Sequence, residues 1–319
     1  MDKNTALIIL QYNNYEDTIN CIDSVIKFNT APIKIIVVDN GSKRENVVER
    51  TDVLLRKKFG YDYSLLYDTS VAKGELSKIT LVVSPINSGY ADGNNKGLKF
   101  AYADSTINKI MILNNDVLFV EDIIPTLSKN IEDTLDCAIV SPILYTRNLE
   151  EIDYNCARVH STVWEEIYYN LFNVICYNIV FKHLSKNRFL LKKNDERVFM
   201  PIELPSGSCM LIDKDYFKKI GSFDSHTFLY WEENILYEKV KKTGKQNYIN
   251  KACKCIHLGA QSTNSSQTNW FTFMCTVKSS NYFMKEYSDC NMLEYSLFKV
   301  SLFFNIIMTK IKMIIKNML

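Results

Sequence analysis

The sequence predicts an α/β protein with a mostly parallel sheet flanked by helices. Two patterns and the chain length carry that expectation. Short apolar, β-branched runs alternate with helical patterns through the first half. Each of three such runs ends in a polar cluster. The 319 residues suffice for one large α/β domain with an appended element. In order, residues 6–10 read as a first strand, and residues 15–27 as a helix with Ile19, Ile22 and Ile26 along one side. Residues 33–38 form a continuously apolar second strand, as buried parallel strands tend to be. It ends in Asp39-Asn40-Gly41-Ser42. Residues 80–83 form a third strand, followed by SPINSGYADGNNKGLKFAYA, and residues 110–113 a fourth, followed at once by Asn114-Asn115-Asp116. A further strand is expected at 136–145. Polar clusters at the carboxyl ends of successive parallel strands are where open α/β sheets bind ligands.

Composition narrows the function. Net charge is +2, which gives no electrostatic footprint for nucleic acid, and none of its binding motifs appears. The nine cysteines are an odd number scattered through apolar runs, pointing to buried reduced thiols and a cytoplasmic location. Cys253 and Cys255 are expected to face opposite sides of a strand and so to make a poor metal pair. The opening MDKNTALIILQYNN reads as a first strand, not a signal peptide, and no apolar run reaches the roughly 18–20 residues of a membrane span.

The second half is less regular. From about 148 to 200, Trp164, Tyr168, Tyr169 and Phe172 recur at partly helical spacing. This reads either as a helical insertion packed on the sheet or as an acceptor-side or membrane-facing flap. Regular structure resumes at LPSGSCMLIDKDYFKKIGSFD: a small-residue turn, a strand, and a helix ending at Gly221. The tail YSLFKVSLFFNIIMTKIKMIIKNML places Asn305, Lys312 and Lys316 on one helical face, with Lys299 and Lys310 roughly opposite. It reads as a docked C-terminal helix or as an interfacial helix drawn to anionic lipid.

Several residues could carry chemistry. Asp39 can accept hydrogen bonds from ribose hydroxyls or a base N–H, or serve as a turn residue. Gly89, Gly93 and Gly97 recur at four-residue spacing with Asn87, Asn94 and Asn95 between them. They allow close backbone approach to phosphate at a helix N-terminus, although the G-x-G-x-x-G pattern is absent. Asp116 is the natural ligand for a divalent ion neutralising a diphosphate, with Asn114 and Asn115 beside it. Glu232 and Glu233 follow Phe228, Tyr230 and Trp231. One glutamate could act as a general base and the aromatics as a platform for a sugar ring; the plainer reading is a solvated helix start. His257 closes an apolar strand.

Taken in order, QYNNYEDTINCIDSV, IIVVDNGS, NSGYADGNNKG, ILNNDV, SGSCMLIDKDYFKKIGSFD, FLYWEEN and HLGAQST resemble family 2 glycosyltransferases, in particular the bacterial rhamnosyltransferase-like branch. The resemblance implies a GT-A fold and inverting transfer from a nucleotide sugar, dTDP- or UDP-linked, to a hydroxyl of a polysaccharide, lipid-linked or protein-linked glycan. It places residues 1–262 in the transferase domain, with an insertion at about 148–200, and 263–319 in a C-terminal helical extension. Carried over residue by residue, Tyr12 and Asp39 would hold the nucleoside, with Asn87 and Asp92 nearby. Asn95, Asn114 and Asn115 are expected on the donor side, and Ser208 and Trp231 on the acceptor side. Asp116 would bind Mg2+ or Mn2+, with His257 near the metal. Glu233 matches the presumed base, with Glu232 as the alternative.

Three departures stand out. The stretch Glu232-Glu233-Asn234-Ile235 replaces the family's Glu-Asp-x-Asp, Asn114 replaces the first acid of D-x-D, and Asp92 stands where many relatives have Gly. A nucleotidyltransferase and a non-catalytic nucleotide-sugar-binding homologue are the alternative readings. Peripheral membrane contact on the inner face of the plasma membrane and homo-oligomerisation stay open.

Overall fold

A computed structural model describes residues 3–146, 149–192, 195–259 and 270–318. The first apolar run becomes β1 (Asn4–Gln11) at the centre of a ten-stranded sheet. It pairs in parallel with β2 (Ile33–Asn40) on one side and, on the other, with the strand of the fourth apolar run, Ile107–Asn114. The connections are α1 (Tyr15–Phe28), α2 (Val47–Phe59), the edge strand β3 (Tyr63–Tyr67), β4 (Ile79–Ser84) and α3 (Tyr90–Ala103), after which Ile107–Asn114 is β5. The strands β3, β4, β2, β1 and β5 lie side by side, all parallel. Parallel neighbours need long crossovers; α1, α2 and α3 lie in three of the four connections among these strands, and residues 68–78 link β3 to β4 without a helix.

Beyond β5 the sheet turns mixed. Next come β6 (Val117–Phe119), α4 (Ile124–Asp133), β7 (Cys137–Tyr145), β8 (Ala157–Arg158), α5 (Val163–Arg188), β9 (Phe199–Ile202), β10 (Leu204–Pro205) and β11 (Cys209–Asp213). The last elements are α6 (Lys214–Lys219), α7 (Glu232–Lys241), β12 (Gln246–His257), α8 (Trp270–Glu286) and α9 (Met292–Met318). β11 runs antiparallel between β5 and β7, β12 is parallel to β7, and β6 and β9 pair antiparallel with β12. The alternation of strand side chains divides the core into two layers. Leu7, Ile9, Ile35 and Val37 pack with Ile22, Val25, Leu55 and Leu127 of α1, α2 and α4. Ala6, Ile8, Ile36 and Val38 pack with Leu98, Phe217 and Leu236 of α3, α6 and α7. The expected fold class is borne out, and the strand foreseen at 136–145 is β7. The sequence reading did not anticipate α2 and β3: the helix is mostly polar and the strand is a half-exposed edge.

The insertion region contains α5, which bends at Cys176, where the backbone leaves helical geometry. Arg188 Nη2 lies 2.8 Å from Glu166 Oε1. The two residues would stand roughly 33 Å apart along a straight helix, so the arms fold back on each other. A third core cluster joins α7, α8 and α9 through Ile235, Phe283, Phe298 and Leu302, with Val163 and Ile167 of α5 against it. A buried polar ladder fastens α9 to α5: Asn170 Nδ2 donates to Ser301 Oγ (3.3 Å), and Asn305 Nδ2 donates to Asn170 Oδ1 (3.0 Å). The expected boundary at 262/263 lies outside the described residues, as does residue 148.

One expectation is corrected. Cys253 and Cys255 do not face opposite ways; both are buried in the same core cluster, because residues two apart on a strand share a face. All nine cysteines are free thiols. Burial pushes Cys137, Cys156 and Cys253 up to about 12, so they stay protonated. Among the described residues no group of three or more metal-ligating side chains occurs.

Candidate active site at the carboxyl edge of the sheet

The loops after β1 and β2 are bound to each other. Asn13, held at φ 59°, donates its backbone N–H to Ser42 Oγ (2.8 Å), and its Oδ1 accepts from the Lys43 and Arg44 amides. Asp39 is fully buried at this junction. Its Oδ2 accepts from Gln11 Nε2 (2.9 Å) and Ser42 Oγ (2.6 Å), and its Oδ1 from the Ser42 amide (3.0 Å). Tyr12 is half-buried beside this loop pair. Asn87 Oδ1 accepts from Asn40 Nδ2 (3.1 Å) and the Gly89 amide (2.9 Å), which fixes the entry to α3. Gly89 has φ +90°, and a Cβ there would fall 2.2 Å from the Phe228 carbonyl oxygen, so only glycine lets these two loops touch. Asp92 Oδ2 lies 3.6 Å from Lys96 Nζ, which also donates to Ser84 and Ser88. Asn95 binds the Phe223 backbone and Ser225 Oγ, tying α3 to the 223–225 loop.

At the ends of β5 and β12 the strands bring Asp116 and His257 together. His257 Nε2 lies 3.5 Å from Asp116 Oδ1 and 3.3 Å from Ser208 Oγ. His257 Nδ1 lies 3.1 Å from Asp153 Oδ2. The Leu258 amide donates to the Asp116 carbonyl (2.9 Å), locking the two strand ends. Burial pulls the imidazole down, but Asp116 and Asp153 outweigh it and raise His257 to about 9. Burial likewise pushes Asp153 up, but hydrogen bonds from His257 and Asn155 hold it below the usual carboxylate range. Asn114 donates its amide to the Ser208 carbonyl (2.8 Å) and its Nδ2 to Ser208 Oγ (3.3 Å). Asn115 Nδ2 reaches the Asn14 carbonyl and Thr18 Oγ1 at the start of α1.

A second acidic centre sits at the first turn of α7. Tyr230 and Trp231 both take positive φ, 70° and 71°, rare for large side chains and a mark of a locally over-determined backbone. This delivers Glu232 and Glu233 in different directions. Glu233 Oε1 accepts from the Gly207 amide (3.0 Å), and its Oε2 lies 3.9 Å from Arg158 Nη2. Glu232 points inward, 5% exposed, and its Oε1 finds no partner among the described residues. Burial, with the neighbouring Glu233 charge adding to it, pushes Glu232 up to about 8. Tyr90, kept protonated by burial, donates to the Gly207 carbonyl (2.7 Å). The turn Ser206-Gly207-Ser208 thus joins both centres: Gly207 touches Glu233, and Ser208 touches His257 and Asn114. A Cβ on Gly207 would lie 2.9 Å from both Glu233 Oε1 and Tyr90 Oη.

The fold therefore gathers Asn114, Asp116, Ser208, His257 and Glu233 around one turn. Ser208, expected on the acceptor side, stands beside His257. The Trp231 ring packs on Phe283 (5.1 Å between centroids), and the neighbouring Tyr230 is the exposed aromatic. Asp153, Tyr90 and Arg158 escaped the sequence reading. Asp153 precedes a short helical turn with no motif around it, and Tyr90 lay unremarked inside the quoted NSGYADGNNKG. Arg158 comes from a two-residue strand that periodicity cannot show.

Comparison with known proteins adds three findings. The profile of Glycosyl transferase family 2 matches residues 6–221, a span holding Asp39, Asp116 and Ser208 and ending before Glu232. The Low-salt glycan biosynthesis hexosyltransferase Agl10 of Haloferax volcanii is 25% identical over 228 residues, which are 72% of this chain and 58% of that protein. The crystal structure of GalNAc-T7 with UDP, GalNAc and Mn2+ superposes with a TM-score of 0.59 at 12% identity, over 94% of this chain and 54% of that one. The chain spans little more than half the length of either relative, and at such identity the structural likeness speaks for the fold alone.

Proposed function

This chain belongs to glycosyl transferase family 2, and from that premise we propose that it moves a hexose from a nucleoside diphosphate sugar to a hydroxyl of a glycan or lipid-linked acceptor, inverting the anomeric carbon. The observation that carries the reading is the 206–208 turn, which holds a carboxylate, Glu233, on one side and the Asp116–His257 pair on the other. A transferase needs these two functions close together: a base for the acceptor and charge neutralisation for the leaving diphosphate. The hexosyltransferase relative favours a hexose and a role in glycan synthesis; a rhamnosyl donor rests on motif resemblance alone.

In this reading Glu233 takes the acceptor proton, and the freed oxygen attacks the anomeric carbon from the face opposite the diphosphate. Glu232 stays protonated at neutral pH, so a single negative charge stands at the base position. The Asp116 carboxylate suits Mg2+ or Mn2+, with phosphate oxygens and water completing the shell, and His257, 3.5 Å away, would join as a ligand only once the ion displaces the proton from its imidazole. Asp116 and His257 would hold the ion, whose charge offsets that of the leaving diphosphate. Asp153 fixes the His257 ring from its far nitrogen. Tyr12, Asn87 and Asp92 flank the nucleoside, and Asp39 binds it by exchanging its Ser42 contact for a ligand donor.

The test is a donor screen that follows nucleoside diphosphate release with Mn2+ or Mg2+, for wild type and Glu233→Gln. Metal-dependent turnover of one donor, lost in the variant, is the expected result. Turnover that survives Glu233→Gln moves the base elsewhere, and binding of donors without turnover by any acceptor points to a non-catalytic homologue.

A further inference from the structure

The C-terminal helix α9 has two apolar faces, and only one is buried. Phe298, Leu302 and the Asn305 ladder dock it against α5 and α8. The other face carries Leu297, Val300, Phe303, Ile307, Ile311 and Ile314, all exposed, with Val300 at 66% and Phe303 at 64%. They recur at three- and four-residue steps, so at about 100° per residue they form one stripe opposite the docked seam. A contiguous apolar strip of this length on a soluble surface marks an interaction site. No helix among the described residues is long and apolar enough to cross a membrane.

The charges around the stripe decide among occupants. Lys299 and Lys310 line one flank of the stripe, both exposed, while Lys312, also exposed, lies on the Asn305 side beyond the docked ladder. The single acid of α9, Glu294, is engaged with the Trp164 indole N–H (3.1 Å) and the Asn291 amide (2.9 Å) at the helix start. A second copy of this helix laid on the stripe would set lysine against lysine with no acid to answer them. A bilayer surface with anionic headgroups answers both flanking lysines: phosphates meet them while the Phe and Ile side chains enter the acyl boundary.

We propose that α9 is an in-plane membrane anchor that holds the protein on an anionic lipid surface through this stripe. Docking on α5 and binding lipid are then simultaneous properties of opposite faces of one helix. The proposal is independent of the transferase reading, because vesicle binding and donor turnover are measured separately.

Co-sedimentation of the full chain with phosphatidylcholine vesicles, with and without phosphatidylglycerol, tests it. The expected result is binding that requires phosphatidylglycerol and weakens with salt. Replacing Phe303 and Ile307 by Glu should reduce it more than tenfold, and Lys299→Gln with Lys310→Gln by about 30-fold. The lysine side chains are solvated, so that variant keeps the test decisive even if the glutamate variant folds poorly. Failure of wild type to bind the anionic vesicles, or binding by both variants at the wild-type level, overturns the proposal. So does a wild-type dimer in sedimentation velocity that Phe303→Glu with Ile307→Glu converts to monomer without any change in lipid binding.

Discussion

The two acidic centres on either side of the 206–208 turn are built in opposite ways. Asp116, Asp153, Ser208 and His257 come from four separated segments and meet only because β5, β11 and β12 lie in one sheet with the 153 loop beside it. Glu232 and Glu233 are consecutive, and a strained pair of positive-φ residues turns one inward and the other toward Gly207. In the first centre, hydrogen bonds from His257 and Asn155 hold Asp153 below the usual carboxylate range despite its burial. The second keeps one glutamate protonated by burying it. Tertiary assembly brings distant polar side chains together, while local backbone geometry is enough to bury one of two identical neighbouring side chains and leave the other at the turn.

The largest expected effect falls on the second centre. Glu233→Gln should lower turnover by roughly 10²–10⁴, the usual contribution of a general base, with donor affinity unchanged. Steady-state kinetics beside a binding isotherm read the two separately. Loss of both together would erase the division of labour between the centres. On the first centre, Asp116→Asn should abolish metal-dependent binding of a nucleoside diphosphate while leaving the fold intact, as calorimetry and circular dichroism would show. Asp153→Asn should weaken Mn2+ affinity by about 10–100-fold, read by the paramagnetic resonance of free Mn2+. An unchanged affinity would mean that Asp153 only packs the strand end.

Smaller effects probe the joint between the centres. Gly207→Ala places a methyl against Glu233 and Tyr90 and should cost about 1–3 kcal/mol of stability in denaturant unfolding. Glu232→Gln should be nearly silent in turnover at neutral pH and visible only in pH profiles. With Glu232 raised to about 8 in the folded state, its contribution to stability is fully present below roughly pH 4.5, its unfolded value, and is lost as pH rises to about 8. The Gln variant should lack that slope in thermal melts. A slope that persists unchanged would place the titration on another group.

The sheet and the loops at its carboxyl edge were legible because each leaves a local trace: β1, β2, β4 and β5 each contain an apolar run, and Asp39, Asn87 and Asn114–Asp116 stand at or within a few residues of their carboxyl ends. Asp153 left no trace, since its importance comes from a contact 104 residues away in sequence. Arg158, brought to Glu233 by a two-residue strand, is illegible for the same reason. In the helical half, the bend at Cys176 and the Asn170–Asn305 ladder depend on which faces meet, which periodicity does not encode. The tail shows the limit from the other side. Docked helix and interfacial helix looked like competing readings, whereas α9 docks through one face and leaves the opposite one exposed.

The most direct test of the two-centre arrangement is isothermal titration of UDP and dTDP in the presence and absence of Mn2+ into wild type, Asp116→Asn and Glu233→Gln. The expected result is Mn2+-dependent binding of one nucleotide by wild type and by Glu233→Gln, lost in Asp116→Asn. Tight, metal-independent binding that survives Asp116→Asn, or binding abolished by Glu233→Gln, would contradict it.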